Sequence, residues 1–528
     1  DDPGVRVFGI GMARMITDKL ILMEKYEQDF WVVSNRIVRE KNVHTASDAR
    51  KILGSNLVIS GNLRRNQNRI WFYFNLENPK TGKKIQSEKY QAHITNLSLW
   101  QDEVVMKLID FLKIDLNSEK QRLLRAGGTS FPGAHDFYIQ SLGYLARNRD
   151  PGSIDKAFIL LDQAIEQDAF YAAAFVARGE ACFYKYKLTK DRQWLVRAES
   201  CFQKALQLNQ DSGSALLMLG KVYREQGRYA KSLDQFQKAI YMNPRYYTAY
   251  LEAAFTHEDS KSLFKAEEYY KKLIKIRPDY WQGYDFLAYF YYDTGRLNEA
   301  EKMYLKAHEL NRYNIKAYNN LIGIYNKKGD NEKAWTMFEK AIELKPNSTA
   351  YSNIGNNLFF QGKYEAAKNM YEKAIELGKS DRRIWGNLAD SYRYLRTHKN
   401  RSRQVYQKAI ELARNELKLD PVNASVRSSL ALYLSKMGKS NQAIDEIGLA
   451  LLRNPNDLNV IYNSIVVYEL SKQRNKSMLA LKAYLRRHGS LAQLDKDPDL
   501  DLLRKDIRYR RVLEQKAYFP VSSRKENK

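Results

Sequence analysis

A row of asparagines at nearly constant spacing is the part of this sequence best suited to binding chemistry. Asn320, Asn353 and Asn387 are separated by 33 and 34 residues, so equivalent helices would present them in register. Each amide offers N–H donors and a carbonyl acceptor, and a ladder of amides can hold the backbone of an extended peptide without reading its side chains. The same stretches carry further amides, and cations that could pair with carboxylates: Asn319, Asn326, Asn356, Lys316, Lys327, Arg383 and Arg393.

An aromatic cluster at residues 281–292 precedes this row. Its helical phase directs Tyr284 and Tyr291 into packing and leaves three rings for a binding surface. Exposed aromatics often anchor protein interfaces, but they also pack in cores, and they can stack on the bases of a single strand. All three interpretations stay open for the rings on the binding side, which are Phe286, Tyr289 and Tyr292.

Motifs of catalysis do not stand out in this sequence. Gly9 and Gly11 lack the third glycine of a dinucleotide-binding loop, and close packing explains them better. There is no Walker loop or kinase signature, and the seven histidines are dispersed, without the paired spacing of a zinc site. The sequence therefore predicts a protein that is not an enzyme and that uses no cofactor or metal.

The elements that must position these side chains follow from a wider periodicity. Small residues return about every 34 residues, an aromatic column keeps step with them, and glycines mark turns between the two. The small residues are Gly179, Gly220, Ala254, Ala288, Ile322, Gly355, Ala389 and Ala431. The aromatic column is Phe236, Tyr270, Tyr304, Phe338 and Tyr371, and the turn glycines are Gly227, Gly295, Gly329, Gly362 and Gly438.

These columns resemble the tetratricopeptide repeat, and the resemblance covers residues 134–489. It implies a mainly α fold, a right-handed superhelix of about ten helical hairpins whose first helices line a peptide-binding groove. Asparagine is common on that face of the repeat whether or not it binds a ligand, so a purely structural role for the row also stays open.

Residues 1–115 do not follow the repeat and indicate a small α/β domain. Apolar and aromatic runs predict strands at 30–33, 57–61, 70–76 and 85–90, and helices at 12–23, 45–53 and 97–112, with Thr45 as a cap. Residues 116–133, which are rich in glycine and proline near their end, predict a linker. Residues 490–528 predict a C-terminal cap followed by a basic tail.

Charge and cysteine content add weaker constraints. The 87 Lys and Arg residues exceed the 61 Asp and Glu residues and give a net charge of +26. Such a field favours acidic peptides, nucleic acid or anionic surfaces, although scattered lysines also form an ordinary solvated coat. Cys182 and Cys201 fall on the two helices of one hairpin, where a bond between them is feasible, but two buried thiols fit better.

Residues 1–115 also resemble the TolB amino-terminal-like domain, through residues 8–13, 49–54, 56–61 and 99–105. That domain usually begins with an apolar strand ahead of its Phe-Gly segment, so its first strand is expected to be missing here. Joined to a tetratricopeptide array, it resembles the C-terminal region of bacterial serine/threonine protein kinases, with further likeness at 179–191, 385–390 and 497–504. The likeness to membrane-anchored relatives favours a periplasmic or other extracytoplasmic location.

The predicted function is non-catalytic binding of a protein or extended peptide, with an acidic peptide favoured by charge, as a scaffold or adaptor. The alternative is the sensory or regulatory C-terminal region of a kinase-type signalling protein, in which a ligand at the α/β domain alters the array. A third interpretation, suggested by charge alone, is an array that binds nucleic acid.

Overall fold

The computed structural model describes residues 3–27, 30–66, 69–93, 97–147, 150–378, 381–395, 399–487, 489 and 491–516. The chain divides into two compact units, one of Asp1–Leu287 with Leu310–Arg312, the other of Ala288–Glu309 with Tyr313–Lys528. Both are mainly helical, as predicted. The predicted basic tail lies outside the described residues beyond 516.

A three-stranded antiparallel sheet stands near the start of the first unit, in the order β1 (Val58–Asn66), β2 (Arg69–Asn78), β3 (Lys83–His93). Gly61 pairs with Phe74, which pairs with Glu88. Alternate β2 side chains, Phe72, Phe74 and Leu76, are buried, which is the period of a strand with one covered face. The strands predicted at 57–61, 70–76 and 85–90 are confirmed.

The strand predicted at residues 30–33 is wrong, because the segment has no strand pairing. Its apolar side chains serve a different purpose. The Trp31 ring packs edge-on against Tyr280 with centroids 5.7 Å apart, and the Val32 N–H donates to Glu24 Oε1 at 2.6 Å. The segment is therefore held by side-chain contacts from other elements.

Among the described residues, the first unit contains a π-helix at Ala49–Leu53 and thirteen α-helices. They are α1 (Pro3–Met23), α2 (Asn35–Glu40), α3 (Ala46–Asp48), α4 (Leu97–Phe111), α5 (Ser118–Arg125), α6 (Pro132–Leu145), α7 (Pro151–Gln167), α8 (Ala172–Thr189), α9 (Gln193–Leu208), α10 (Gly213–Glu225), α11 (Tyr229–Met242), α12 (Tyr247–Asp259) and α13 (Leu263–Ile276). Thr45 caps α3 in a capping box with Asp48, as the sequence predicts. Helix α5 lies inside the predicted linker 116–133, and the predicted domain boundaries themselves stay a prediction.

Two glycines let α1 and α6 touch backbone to backbone. A Cβ added at Gly11 would lie 1.9 Å from the Ile139 carbonyl oxygen, and one added at Gly143 would lie 2.0 Å from the Val7 carbonyl oxygen. No side chain fits at such distances, so this crossing requires glycine on both helices. The packing role predicted for Gly11 is confirmed, whereas Gly9 has no atom near its missing side chain.

Helices α14 and α15 each hold residues of both units, and the second unit continues to the C-terminus. Its helices are α14 (Trp281–Asp293), α15 (Leu297–Leu310), α16 (Ile315–Lys328), α17 (Asn331–Leu344), α18 (Ser348–Phe360), α19 (Tyr364–Leu377), α20 (Arg382–Tyr394), α21 (Lys399–Leu419), α22 (Ala424–Lys436), α23 (Ser440–Arg453), α24 (Leu458–Leu470), α25 (Arg474–Arg486), α26 (Leu491–Lys496), α27 (Asp501–Arg504) and α28 (Ile507–Lys516). From α6 to α25 the helices follow one another as pairs, here called first (even-numbered) and second (odd-numbered) helices.

The repeat columns explain why these helices pair. The aromatic column on the second helices is buried, and it packs on the small residues of the first helices. A Cβ at Gly220 would meet the Phe236 ring at 2.4 Å, and one at Gly355 would meet the Tyr371 ring at 2.7 Å. The small column is therefore the space that the aromatic rings fill.

The turn inside eight of the hairpins uses a left-handed residue, among the residues that the structure describes. Gly227, with φ of 77°, and its repeat equivalents end the first helices as predicted. In three hairpins a lysine is left-handed at the turn, namely Lys190 with φ of 60°, Lys261 with φ of 61° and Lys472 with φ of 60°. A lysine pays a conformational penalty there that a glycine avoids, so the turn geometry is imposed by the stacked helices.

Candidate functional site

The predicted asparagine row lies on consecutive first helices of the second unit, and much of it bonds to itself. Asn353 Nδ2 donates to the Asn319 carbonyl at 2.8 Å, and Asn326 Nδ2 donates to the Asn353 carbonyl at 2.7 Å. These two bonds tie α16 to α18 reciprocally. A further hydrogen bond ties α18 to α20, since Asn387 Nδ2 donates to Asn356 Oδ1 at 2.8 Å.

Asn357, which the repeat spacing does not single out, completes this network. Its buried amide donates to Asn326 Oδ1 and to Asn331 Oδ1, both at 2.8 Å. Its own oxygen accepts a hydrogen bond from Gln361 Nε2 at 2.6 Å. The sequence does hint at its role, because Asn357 directly follows Asn356. Adjacent residues on a helix point in different directions, so the two amides would contact different partners.

Some amide groups of the row have no protein partner among the described residues. Asn319 Oδ1 and Asn320 Nδ2 are both buried without a hydrogen bond, and so is Nδ2 of Asn314, which caps α16 through its oxygen. Leaving such a group unsatisfied costs about 1–3 kcal/mol. Helix α16 therefore keeps hydrogen-bonding capacity that a water molecule or a polar ligand would satisfy.

The predicted cations differ in their exposure and in their partners. Lys316 and Lys327 are exposed, and the Lys327 ammonium lies 4.1 Å from the centre of the Tyr292 ring. Arg383 is exposed and forms two hydrogen bonds to the Asp381 carboxylate, at 3.1 and 2.7 Å. Its charge is therefore already balanced by a neighbour on the same turn.

Arg393 meets a carboxylate from the far end of the sequence. Its guanidinium donates to Asp499 Oδ1 at 2.5 Å, and the Tyr394 hydroxyl donates to the same oxygen at 2.7 Å. The Lys436 ammonium lies 3.2 Å from Asp499 Oδ2 and 2.7 Å from Asp390. Burial would raise the pKa of Asp499, but the Lys436 and Arg393 charges outweigh it and lower the pKa to about 2.

The predicted aromatic rings have separate surroundings in the two units. In the first unit, half-buried Phe286 packs edge-on against Phe255 with centroids 5.7 Å apart. In the second, Tyr289 is 52% exposed, whereas Tyr291 is buried as predicted. Tyr284 is half-buried, and its hydroxyl donates to the Pro278 carbonyl at 3.1 Å.

Within the first unit, buried ion pairs join the N-terminal segment to repeat helices. Glu24, just after α1, accepts from Arg277 Nη2 at 2.5 Å, and both side chains are almost fully buried. Arg14 on α1 bonds to Glu180 on α8. These pairs fix α1 against first-unit hairpins at two separate places.

The two cysteines are free and buried, as the sequence analysis favoured. Arg178 Nη1 lies 3.5 Å from Cys201 Sγ. The hydrogen bond from the Cys182 thiol, helped by Arg178, lowers the pKa of Cys201 despite burial. One thiol of the pair is therefore poised to ionise first.

Family comparison agrees with the hairpins and columns. Models described as Tetratricopeptide repeat match residues 196–247, 217–280, 284–312 and 313–380. Residues 196–280 and 284–380 are tetratricopeptide repeats. They include the helices that carry the Asn320 and Asn353 positions of the asparagine row, whereas Asn387 lies beyond them.

The chain is also similar to individual proteins over parts of its length. It is 27% identical over 130 residues to "Putative adenylate cyclase 3" of Rhizobium meliloti (strain 1021), covering 24% of this chain and 22% of that protein. A crystal structure of a tetratricopeptide repeat protein from Parabacteroides merdae ATCC 43184 is 18% identical, with a TM-score of 0.37, over 49% of this chain and 99% of that chain. The Cut9-Hcn1 hetero-tetramer of the APC/C is 13% identical, with a TM-score of 0.35, over 74% of this chain and 84% of that chain.

Two features are absent from the part of the chain that the structure describes. No group of three or more histidine, cysteine or acidic side chains in them is arranged to hold a metal ion. Among the described helices, none combines the length and the apolar character needed to cross a bilayer.

Proposed function

We propose that this protein is a non-catalytic scaffold that binds an extended peptide along the first helices of its second unit. The observation that carries the proposal is the unsatisfied polar capacity of α16, namely Asn319 Oδ1 and Asn320 Nδ2, which are buried and would meet a peptide once the half-buried Asn320 side chain rotates outward. A peptide backbone offers the matching donor and acceptor at every residue. Tetratricopeptide arrays present such surfaces to protein partners.

The remaining predicted residues support the same surface in different ways. Lys316 and Lys327 are exposed beside the row and would attract acidic side chains, and Tyr289 offers an exposed ring. Asn353 and Asn387 already hold neighbouring helices together. Their contribution to binding is therefore to keep the helices in register, with their second N–H left for a ligand.

The test begins by enriching random displayed peptides on the full chain and measuring their affinities by fluorescence anisotropy. We expect Asn320→Ala to bind the enriched peptides about tenfold more weakly than the wild type. This is the effect of losing roughly one hydrogen bond to a buried group. The matched control is Asn369→Ala, which removes an exposed amide on the second helix α19. Failure to enrich any peptide, or equal affinities for both variants and the wild type, would contradict the proposal.

A sensory role for the N-terminal segment is the second candidate, and the Glu24–Arg277 and Arg14–Glu180 pairs favour it. A ligand that displaced α1 would have to break pairs that also fix repeat helices of the first unit. We expect Arg14→Gln to accelerate hydrogen exchange in α8 as well as in α1. Faster exchange confined to α1 would argue against this second candidate.

A further inference from the structure

Residues 491–504, called the acidic cap below, contact the first helices of the second unit. The cap consists of α26, a 3-10 turn at Pro498–Leu500 and α27. Asp499 bonds to Arg393 and Tyr394 at the end of α20 and to Lys436 at the end of α22. Its neighbour Asp497 accepts a hydrogen bond from the Tyr462 hydroxyl of α24.

The cap also reaches helix α16, which carries the start of the asparagine row. Helix α26 packs near α16, and the Lys496 ammonium lies beside Gly329, the residue that ends α16. The cap thus contacts α16, α20, α22 and α24, all of them first helices. Of these, α16 and α20 also carry residues of the proposed peptide site.

The chemistry of this contact is that of a bound acidic peptide. Two carboxylates stand two residues apart around Pro498, and Asp497 Oδ1 accepts the Asp499 N–H at 2.9 Å, which fixes the turn. The Asp499 side chain is nearly fully buried, and it receives one guanidinium, one ammonium and one phenol. Charge-assisted bonds of this kind give a site a strong preference for a carboxylate over a neutral group.

Apolar contacts anchor the cap at a different place from the contacts of Asp499 with its cations. Leu494, Leu500 and Leu503 are fully buried, and they belong to one core cluster with Ile461 of α24 and Tyr484 of α25. The last hairpin therefore anchors the cap through these leucines and through Asp497, whereas Asp499 extends to α20 and α22.

We propose that the Asp497-Pro498-Asp499 turn is an internal ligand of the peptide site, and that the partner is a protein with an acidic turn of the same spacing. The partner's carboxylates would replace Asp499 on Arg393 and Lys436. This inference rests on the proposed function, since it names the partner class and the competitor of the same surface. The site is then regulated by a segment of its own chain.

The experiment uses the full chain and a fluorescein-labelled synthetic peptide with the sequence of residues 494–504. The control peptide replaces the aspartates that correspond to Asp497 and Asp499 by asparagine. An internal competitor acts at an effective concentration on the order of millimolar, so we expect Asp499→Asn to bind the acidic peptide about tenfold or more tightly than the wild type. Adding Lys436→Gln to that variant should abolish the gain.

Equal dissociation constants for the wild type and Asp499→Asn would overturn the inference, and so would equal binding of the acidic and asparagine peptides. If Asp499→Asn does not fold, as judged by circular dichroism, hydrogen exchange of the wild type decides. Saturating acidic peptide should then accelerate exchange in residues 494–504, and unchanged exchange would overturn the inference. Library peptides that bind the wild type and Asp499→Asn equally, and depend on Asn320, would leave the proposed function standing while refuting the internal ligand.

Discussion

The buried pair of Glu24 and Arg277 allows a prediction whose size and pH dependence both follow from the structure. Glu24 is 0% and Arg277 4% exposed, and the Arg277 guanidinium also stacks over Tyr247 at 4.5 Å. Arg277 Nε and Nη1 have no hydrogen-bond partner among the described residues. Removing either partner should leave the other charge uncompensated, which costs about 3–5 kcal/mol.

The two single variants should differ in how pH changes that cost. Arg277 stays charged at any accessible pH, so the cost of Glu24→Gln should persist across the range. In Arg277→Met, Glu24 can bind a proton instead. Burial already raises the pKa of Glu24 in the folded protein, and loss of the Arg277 charge should raise it further.

The sign of the effect follows from proton binding. Between the unfolded and the raised folded pKa of Glu24, the folded state binds more protons, so stability falls as pH rises. The slope is at most about 1.4 kcal/mol per pH unit for one proton. A cost of about 4 kcal/mol for Arg277→Met near pH 8 should therefore shrink to roughly 1–2 kcal/mol near pH 6.

Hydrogen exchange measured by mass spectrometry on α1, corrected for the intrinsic pH dependence of exchange, gives the free energy of local opening. Lys238→Met is the control, because the Lys238–Asp234 pair is more than half exposed on both sides, and its loss should change stability by less than about 1 kcal/mol. A cost for Arg277→Met that is the same at both pH values, or no larger than that of the control, would refute the reasoning.

Three further outcomes are expected. Lys261→Gly should stabilise the first unit by about 0.5–1 kcal/mol in thermal unfolding, because glycine tolerates the left-handed turn. Gly227→Ala should destabilise it by about 1 kcal/mol. The opposite order of stabilities would contradict the turn assignment. The pKa of Asp499 falls from 3.8 to about 2 on folding. About 2 kcal/mol of stability that is present above pH 4 should therefore disappear towards pH 2. Urea unfolding of Asp499→Asn should not show this loss of stability. Arg178→Gln should raise the pKa of Cys201, measured by the ultraviolet absorbance of its thiolate. An unchanged titration would show that Arg178 does not lower this pKa.

The local features of this fold were predictable from the sequence, because they depend on periodicity and on turn chemistry. The aromatic column, the left-handed glycine at Gly227 and the β2 strand all lie where those patterns predict them. Residues 30–33 were misread because their apolar run has the composition of a strand, while the contact of Trp31 with Tyr280 joins positions far apart in the chain.

The site was predictable only in part, for a related reason. The repeat spacing places Asn353 and Asn387 on the correct helices, but it does not specify which amide hydrogen meets which carbonyl. The bond between Arg393 and Asp499 spans more than a hundred residues, and no periodicity predicts it. Whether two distant residues meet depends on how many hairpins lie between them in the sequence. It also depends on the path by which the chain comes back to the earlier helices.

The buried leucines of the acidic cap have a consequence for assembly. Stacked hairpins extend naturally, because the outer side of each one suits the next, and a bare last hairpin would accept a hairpin of another molecule. Tyr484 and Leu481 of α25 are instead covered by Leu503, Tyr509 and Val512 of the same chain. Head-to-tail growth into open filaments at this end would require residues 491–516 to detach first.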